Sequence, residues 1–143
     1  DLFGVSEENE NETIPSTNFS NPLKKFYYNF IKRQDPYSFT AVSELLNKFK
    51  ENIHLIQGNS NKILPKMDMS KVDYVFLDGG HHYNTVKNDL TNCIKVILNG
   101  GTVLCDDYNL SYAPGVKQAI DEFVNLNKFK RTILYERFVR IEN

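Results

Sequence analysis

Val72-Asp73-Tyr74-Val75-Phe76-Leu77-Asp78-Gly79-Gly80-His81-His82-Tyr83 decides the fold. An apolar run ends abruptly in an acid, two glycines and two histidines. The run from Val72 to Leu77 predicts a strand buried on both faces, as in a parallel sheet. A helix is expected next, from about Asn84 to Leu98, with Val86, Leu90, Cys93, Ile94 and Ile97 as its core stripe. Gly100-Gly101 ends that helix, because glycine takes the left-handed conformation that a helix C-terminus favours. Thr102 to Cys105 is a second short buried strand, closed by Asp106-Asp107-Tyr108. Pro114-Gly115 opens a further helix to about Asn125. Thr132–Tyr135 and Phe138–Ile141 pair as a hairpin across Glu136-Arg137.

Upstream the pattern is weaker. Residues 1 to 21 carry Glu7, Glu8, Glu10 and Glu12 without a lysine or arginine, and read as a loop. Pro22 fits the first turn of an aromatic, basic helix running to about Arg33. That helix is read either as a substrate-facing lid or as an amphipathic helix with a solvated basic face. A second helix is expected over roughly Thr40 to Lys50, with Val42, Leu45, Leu46 and Phe49 at helical spacing. Ile53 to Gln57 reads as a strand ending in Gly58-Asn59-Ser60. Strand and helix alternation with a closing hairpin predicts an α/β domain: a mostly parallel sheet with a C-terminal antiparallel hairpin.

The chain has 143 residues, enough for one domain, and a net charge of -1. That balance gives no global attraction to nucleic acid or to an anionic membrane. No apolar run reaches the roughly 20 residues a membrane span needs. Cys93 and Cys105 read as reduced, buried thiols, which suits a cytoplasmic protein.

In α/β sheets, ligands sit at the carboxyl ends of the strands. Asp78 follows one strand, and Asp106 and Asp107 follow the next. If those strands are neighbours, about 4.8 Å apart, the three carboxylates converge. Converging carboxylates need protons, cationic partners or a metal. A hard divalent ion such as Mg²⁺ is the expected compensation, although an Asp at a strand end also commonly caps the next helix. His81, in the strand-to-helix loop, is the candidate general base, while His82 and Tyr83 are expected to pack locally.

The order of these segments resembles class I S-adenosylmethionine (SAM) methyltransferases. Residues 72–83 are similar to that family's D-x-V-F-I-D-G-D-H-S-Y motif. Residues 98–108 resemble its L-x-P-G-G-x-x-x-x-D-D-Y segment, and 114–123 its P-G-V-x-x-A-V-x-E-F helix. The match covers about 50 residues in order and is similar to small-molecule O-methyltransferases of the macrocin O-methyltransferase type. The resemblance implies a partial Rossmann-like methyltransferase fold, with residues 5–38 a variable insertion and 40–143 the core of one incomplete domain.

It also implies roles for particular residues. Asp1, in Asp1-Leu2-Phe3-Gly4, matches the acid on the SAM ribose. Asn59 and Ser60 stand where the family contacts adenine. Asp78 is shared between cofactor and metal, with Asp106 and Asp107 completing a divalent site. The implied reaction is transfer of the SAM methyl group to the hydroxyl of a small acceptor, a sugar or secondary metabolite. No nucleic-acid or membrane partner is implied, and a homo-oligomer is left open. The same aspartates with His81 also suit a metal-dependent hydrolase, and a non-catalytic interaction module remains an alternative. Gly80 stands where the family often has an acid that serves as the base, which moves that role to His81. The family's glycine-rich first strand has no counterpart here. The chain is therefore expected to be part of a longer protein and to bind SAM poorly by itself. Calorimetric titration of SAM into the chain checks this, and micromolar binding would contradict it.

Overall fold

The structure, a computed structural model, describes residues 21–33, 36 and 38–143. It divides into two compact units, Asp1–Asn59 and Ser60–Asn143. In the first unit, helix α1 (Pro22–Phe26) starts at Asn21, whose side chain accepts the Leu23 N–H at 2.9 Å. Its proline sits in the first turn, where no intrahelical donor is lost. A π-helical stretch, Tyr27–Lys32, continues it, and left-handed Arg33 (φ 51°) stops it. Helix α2 (Phe39–Leu46) is capped by the Ser38 hydroxyl, which accepts the Ala41 N–H at 3.2 Å. A single 3₁₀ turn, Asn47–Phe49, follows.

The expected helix forms, and the expected strand does not. The apolar positions of α2 are not buried, and Leu45 is 74% exposed. Ile53–Gln57 forms no strand. Its residue types suit a strand, but a strand exists only as part of a ladder, and the sheet among the described residues is built from other segments.

The second unit holds the sheet. Short helix α3 (Ser60–Ile63) and two 3₁₀ turns lead into strand β1 (Tyr74–Leu77). Helix α4 (Tyr83–Leu98), strand β2 (Thr102–Cys105), helix α5 (Pro114–Asn127) and strands β3 (Lys130–Leu134) and β4 (Phe138–Glu142) complete it. The sheet order is β1-β2-β4-β3. The β1 and β2 strands are parallel, in register from Tyr74↔Thr102 to Leu77↔Cys105. The β2–β4 and β3–β4 ladders are antiparallel. The fold is thus a Rossmann-like α/β fold with a mixed sheet, and parallel pairing among the described residues is confined to β1–β2.

The core lies between the sheet and the pair α4 and α5. Leu90, Val96, Ile97 and Ile120 are fully enclosed there, against Val103, Val139 and Ile141 of the strands. Each such side chain contributes about 1.5–3 kcal/mol on burial. The opposite sheet face is open: Tyr74 is 54% and Phe76 49% exposed. Burial of β1 on both faces is therefore not observed. Its Val75 and Leu77 face packs on the core, and the other does not.

The turn after α4 sets the β1–β2 register. Gly100, at φ 86°, donates to the Ile97 carbonyl at 3.0 Å, and Gly101 to the Val96 carbonyl at 2.8 Å. These are the two bonds of a Schellman motif, which satisfies the last helix carbonyls. The Thr102 N–H then bonds the Asp73 carbonyl at 3.0 Å and starts β2 beside β1. At the other end, Gly115 lets the start of α5 approach the loop after β1. A Cβ there would lie 2.7 Å from the Tyr83 nitrogen and 3.2 Å from the His81 carbonyl oxygen. Gly115→Ala is expected to destabilise the chain by about 1–3 kcal/mol through overpacking. Urea denaturation checks this, and an unchanged midpoint would show that the approach is not tight.

Candidate functional site

The parallel register carries past the strand ends, since the Asp106 N–H donates to the Leu77 carbonyl at 2.9 Å. That bond sets Asp106 at the end of β2 next to Asp78 at the end of β1. A small cleft opens here, walled by the Asp78–His81 turn, by Asp106 and Asp107, and by Asp89 from α4. Asp78, His81, Asp106 and Asp107 are thus brought together as the sequence predicts. Ser60 opens α3 and is not among the residues lining the cleft. Asn59 belongs to the first unit. Asp1 lies outside the described residues.

The acids are compensated by side chains. Arg137 Nε donates to Asp106 Oδ1 at 2.5 Å, and Nη2 donates to Oδ2 at 2.9 Å. This is the bidentate geometry in which guanidinium and carboxylate match best. The same Nη2 lies 3.4 Å from Asp107 Oδ1. Asp106 Oδ1 also accepts the Asp107 N–H at 2.6 Å. That bond is local to a backbone held at φ 62° at Asp107, a region that Asp tolerates better than most residues. On the far side, His81 Nε2 lies 3.0 Å from Asp107 Oδ2. Asp106 and Asp107 are buried, whereas the Arg137 side chain is 56% exposed.

The Arg137 hydrogen bonds, opposed in part by burial, hold the Asp106 carboxyl below the usual carboxylate range. In return, its bonds to Asp106 raise Arg137 above its ordinary value, with smaller contributions from the charges of Asp107 and Asp78. One guanidinium therefore feels all three carboxylates. The backbone holds it in place. The Arg137 N–H closes the hairpin turn on the Leu134 carbonyl at 3.2 Å, and its carbonyl accepts the Tyr108 N–H at 2.9 Å. Tyr135 and Glu136 within that turn both have positive φ, 53° and 59°, as the primed hairpin turns require.

No group of three His, Cys, Asp or Glu side chains placed to hold a metal ion exists among the described residues. The expected metal triad of Asp78, Asp106 and Asp107 is therefore adjacent but does not fit a metal in this arrangement. The physical reason is that both Asp106 oxygens and one Asp107 oxygen face Arg137.

Sequence reading missed one residue of the cleft, Asp89, and the partner of the cleft's acids, Arg137. Arg137 looked like a turn residue, because its partners lie about 30 positions earlier and no local pattern joins them. Asp89 had a legible signal: it sits on the apolar stripe of α4, four residues before Cys93, and it is buried. An acid on a core stripe marks a cleft or a partner. Tyr83 does pack locally, as expected, its hydroxyl joining Glu122 of α5 and receiving Lys87 Nζ at 2.8 Å. His82 serves as the backbone N-cap of α4. Cys93 and Cys105 are free and buried, their thiols pushed up to about 11 and about 12 chiefly by burial.

Comparison with known proteins places this geometry in a family. The family described as "Methyltransferase domain" matches residues 9–108. The chain belongs to that family. An uncharacterized protein, R132, of Acanthamoeba polyphaga mimivirus is 34% identical over 102 residues, covering 63% of this chain and 46% of that protein. The solved structure of the O-methyltransferase NovP is similar in fold, with a TM-score of 0.63 and 18% identity, covering 100% of this chain and 57% of NovP. The chain thus spans about half the length of both. Among the described residues no helix is long and apolar enough to cross a membrane.

The lowered Asp106 value fixes the sign of an acid effect. A carboxylate depressed in the folded state adds stability that is complete above its unfolded pKa, about 3.9. That stability is lost as pH falls through the lower folded value. Arg137→Ala removes the chief cause. At pH 7 the variant is expected to be less stable than wild type, by a small margin because the guanidinium is half exposed. The deficit should shrink below pH 4. Denaturant titrations across that range check it, and a pH-independent deficit would contradict it.

Proposed function

We propose that the chain serves a SAM-dependent O-methyltransferase acting on a small hydroxylated molecule, a sugar or secondary metabolite. The observation that carries this reading is the His81–Asp107 pair, 3.0 Å apart at the mouth of the cleft beyond the parallel strands. An acidic cleft is also chemically suited to SAM, whose sulfonium and ammonium groups are cationic. When bound, SAM supplies an electrophilic methyl group. Asp78, at the end of β1, is the cofactor contact proposed among the described residues of the cleft. Asp1, Asn59 and Ser60 are proposed as further contacts on the family resemblance.

In this reading Asp107 accepts a hydrogen bond from His81 Nε2–H, so Nδ1 carries the basic lone pair. His81 would then take the proton of the acceptor hydroxyl as that oxygen bonds to the methyl carbon and the carbon–sulfur bond breaks, its electron pair staying on sulfur as the neutral thioether leaves. The carboxylate orients the ring and stabilises the imidazolium that forms. Arg137 keeps Asp106 and Asp107 in place, and preorganisation of the reacting atoms contributes most of the acceleration. Because Asp106 is engaged by Arg137, no step is assigned to a divalent ion. Buried thiols suit a reducing compartment, and we place the enzyme in the cytoplasm.

The test is methyl transfer from SAM to a panel of small polyhydroxylated acceptors, using the longest natural form of the protein. His81→Ala is expected to lower kcat by about 10²–10⁴-fold. Asp107→Asn should reduce kcat more than it raises KM. Full activity in His81→Ala would remove His81 from the mechanism.

A further inference from the structure

We propose that Arg137 is the resident counter-cation of the acidic cleft and makes it refractory to divalent metal ions. The argument begins with lone pairs. A hard ion such as Mg²⁺ demands near-octahedral oxygen ligands at about 2.0–2.1 Å. Asp106 Oδ1 already accepts two donors, Arg137 Nε and the Asp107 N–H, and Oδ2 accepts Arg137 Nη2. Asp107 has one oxygen toward Arg137 Nη2 and the other on His81. For an ion to take these carboxylates, the guanidinium must leave. Until it does, its own positive charge repels the ion.

Leaving is opposed at several points. The Arg137 backbone is tied to Leu134 and to Tyr108, and its guanidinium carbon lies 5.4 Å from the centre of the Phe138 ring, in cation–π range. Tyr108 is itself buried, its hydroxyl donating to Asp121 and receiving Lys117 Nζ, both at 2.7 Å. The loop that carries the acids and the hairpin that carries Arg137 are therefore joined through main chain as well as through charge. Arg suits this role better than Lys, because its planar fork matches both carboxylate oxygens and it stays protonated at any working pH.

The inference concerns the cleft read above as the acceptor site. It rests on that reading only for its consequence, that the acceptor hydroxyl loses its proton to His81 rather than to a metal. Equilibrium metal binding tests the inference without turnover, so its failure and the failure of the methyl-transfer reading are separable.

Mn²⁺ is titrated into the chain and free ion is read by electron paramagnetic resonance, for wild type, Asp106→Asn, Arg137→Gln and Arg137→Gln/Asp106→Asn, with circular dichroism to establish folding. Wild type is expected to bind Mn²⁺ no better than its Asp106→Asn variant does. Arg137→Gln should bind at least ~10-fold more tightly, and the added Asp106→Asn change should cancel the gain. Wild-type binding that Asp106→Asn abolishes would overturn the proposal, as would a folded Arg137→Gln chain with no gain. If Arg137→Gln does not fold, the wild-type and Asp106→Asn pair decides alone: equal, weak binding supports the proposal, and a difference between them overturns it.

Discussion

Placing aspartates at the ends of two adjacent parallel strands creates an electrostatic problem that the rest of the domain must solve. Asp78 and Asp106 sit side by side because the β1–β2 register continues through the bond from Asp106 to Leu77, and Asp107 follows at once. Carboxylates at such spacing raise one another's pKa unless a cation intervenes. Here the compensation is the Arg137 guanidinium, paired with Asp106 and within reach of Asp107. With Asp106 and Asp107 held, His81 has a fixed carboxylate to lean on.

That solution assigns a task to each half of the sheet. The parallel pair β1–β2 and its crossover helix α4 deliver the acids and the His81 loop. The antiparallel strand β4, beside β2, delivers the counter-cation, because the turn before it places Arg137 beside the β2 end. The hairpin is therefore part of the site, and its positive-φ turn residues belong to the device that aims Arg137. The close approach at Gly115 couples α5 to the same loop, so the core helices and the cleft share one set of constraints.

Elements governed by local chemistry were legible in the sequence. The α4 and α5 stripes, the Gly100-Gly101 stop, the closing hairpin and the gathering of Asp78, His81, Asp106 and Asp107 all follow from periodicity, turn residues and position at strand ends. What escaped depends on partners far along the chain. Ile53–Gln57 has strand-like residues, yet a strand is a property of a ladder and not of five residues. The face of β1 bearing Tyr74 and Phe76 reads as buried from its apolarity alone, but burial depends on what covers it. Arg137 looked like turn filler. Composition shows that converging acids need a cation, and it does not show whether that cation is an ion or a side chain.

The pairing of Arg137 with Asp106 is most directly measured by a double-mutant cycle. Unfolding free energies of wild type, Arg137→Ala, Asp106→Ala and the double variant at neutral pH isolate the coupling from the separate costs of each truncation. A favourable coupling clearly above experimental error is the result expected if the guanidinium is the cation around which the acid cluster is built. Additive effects, with coupling near zero, would contradict that account and return the carboxylates to some other partner.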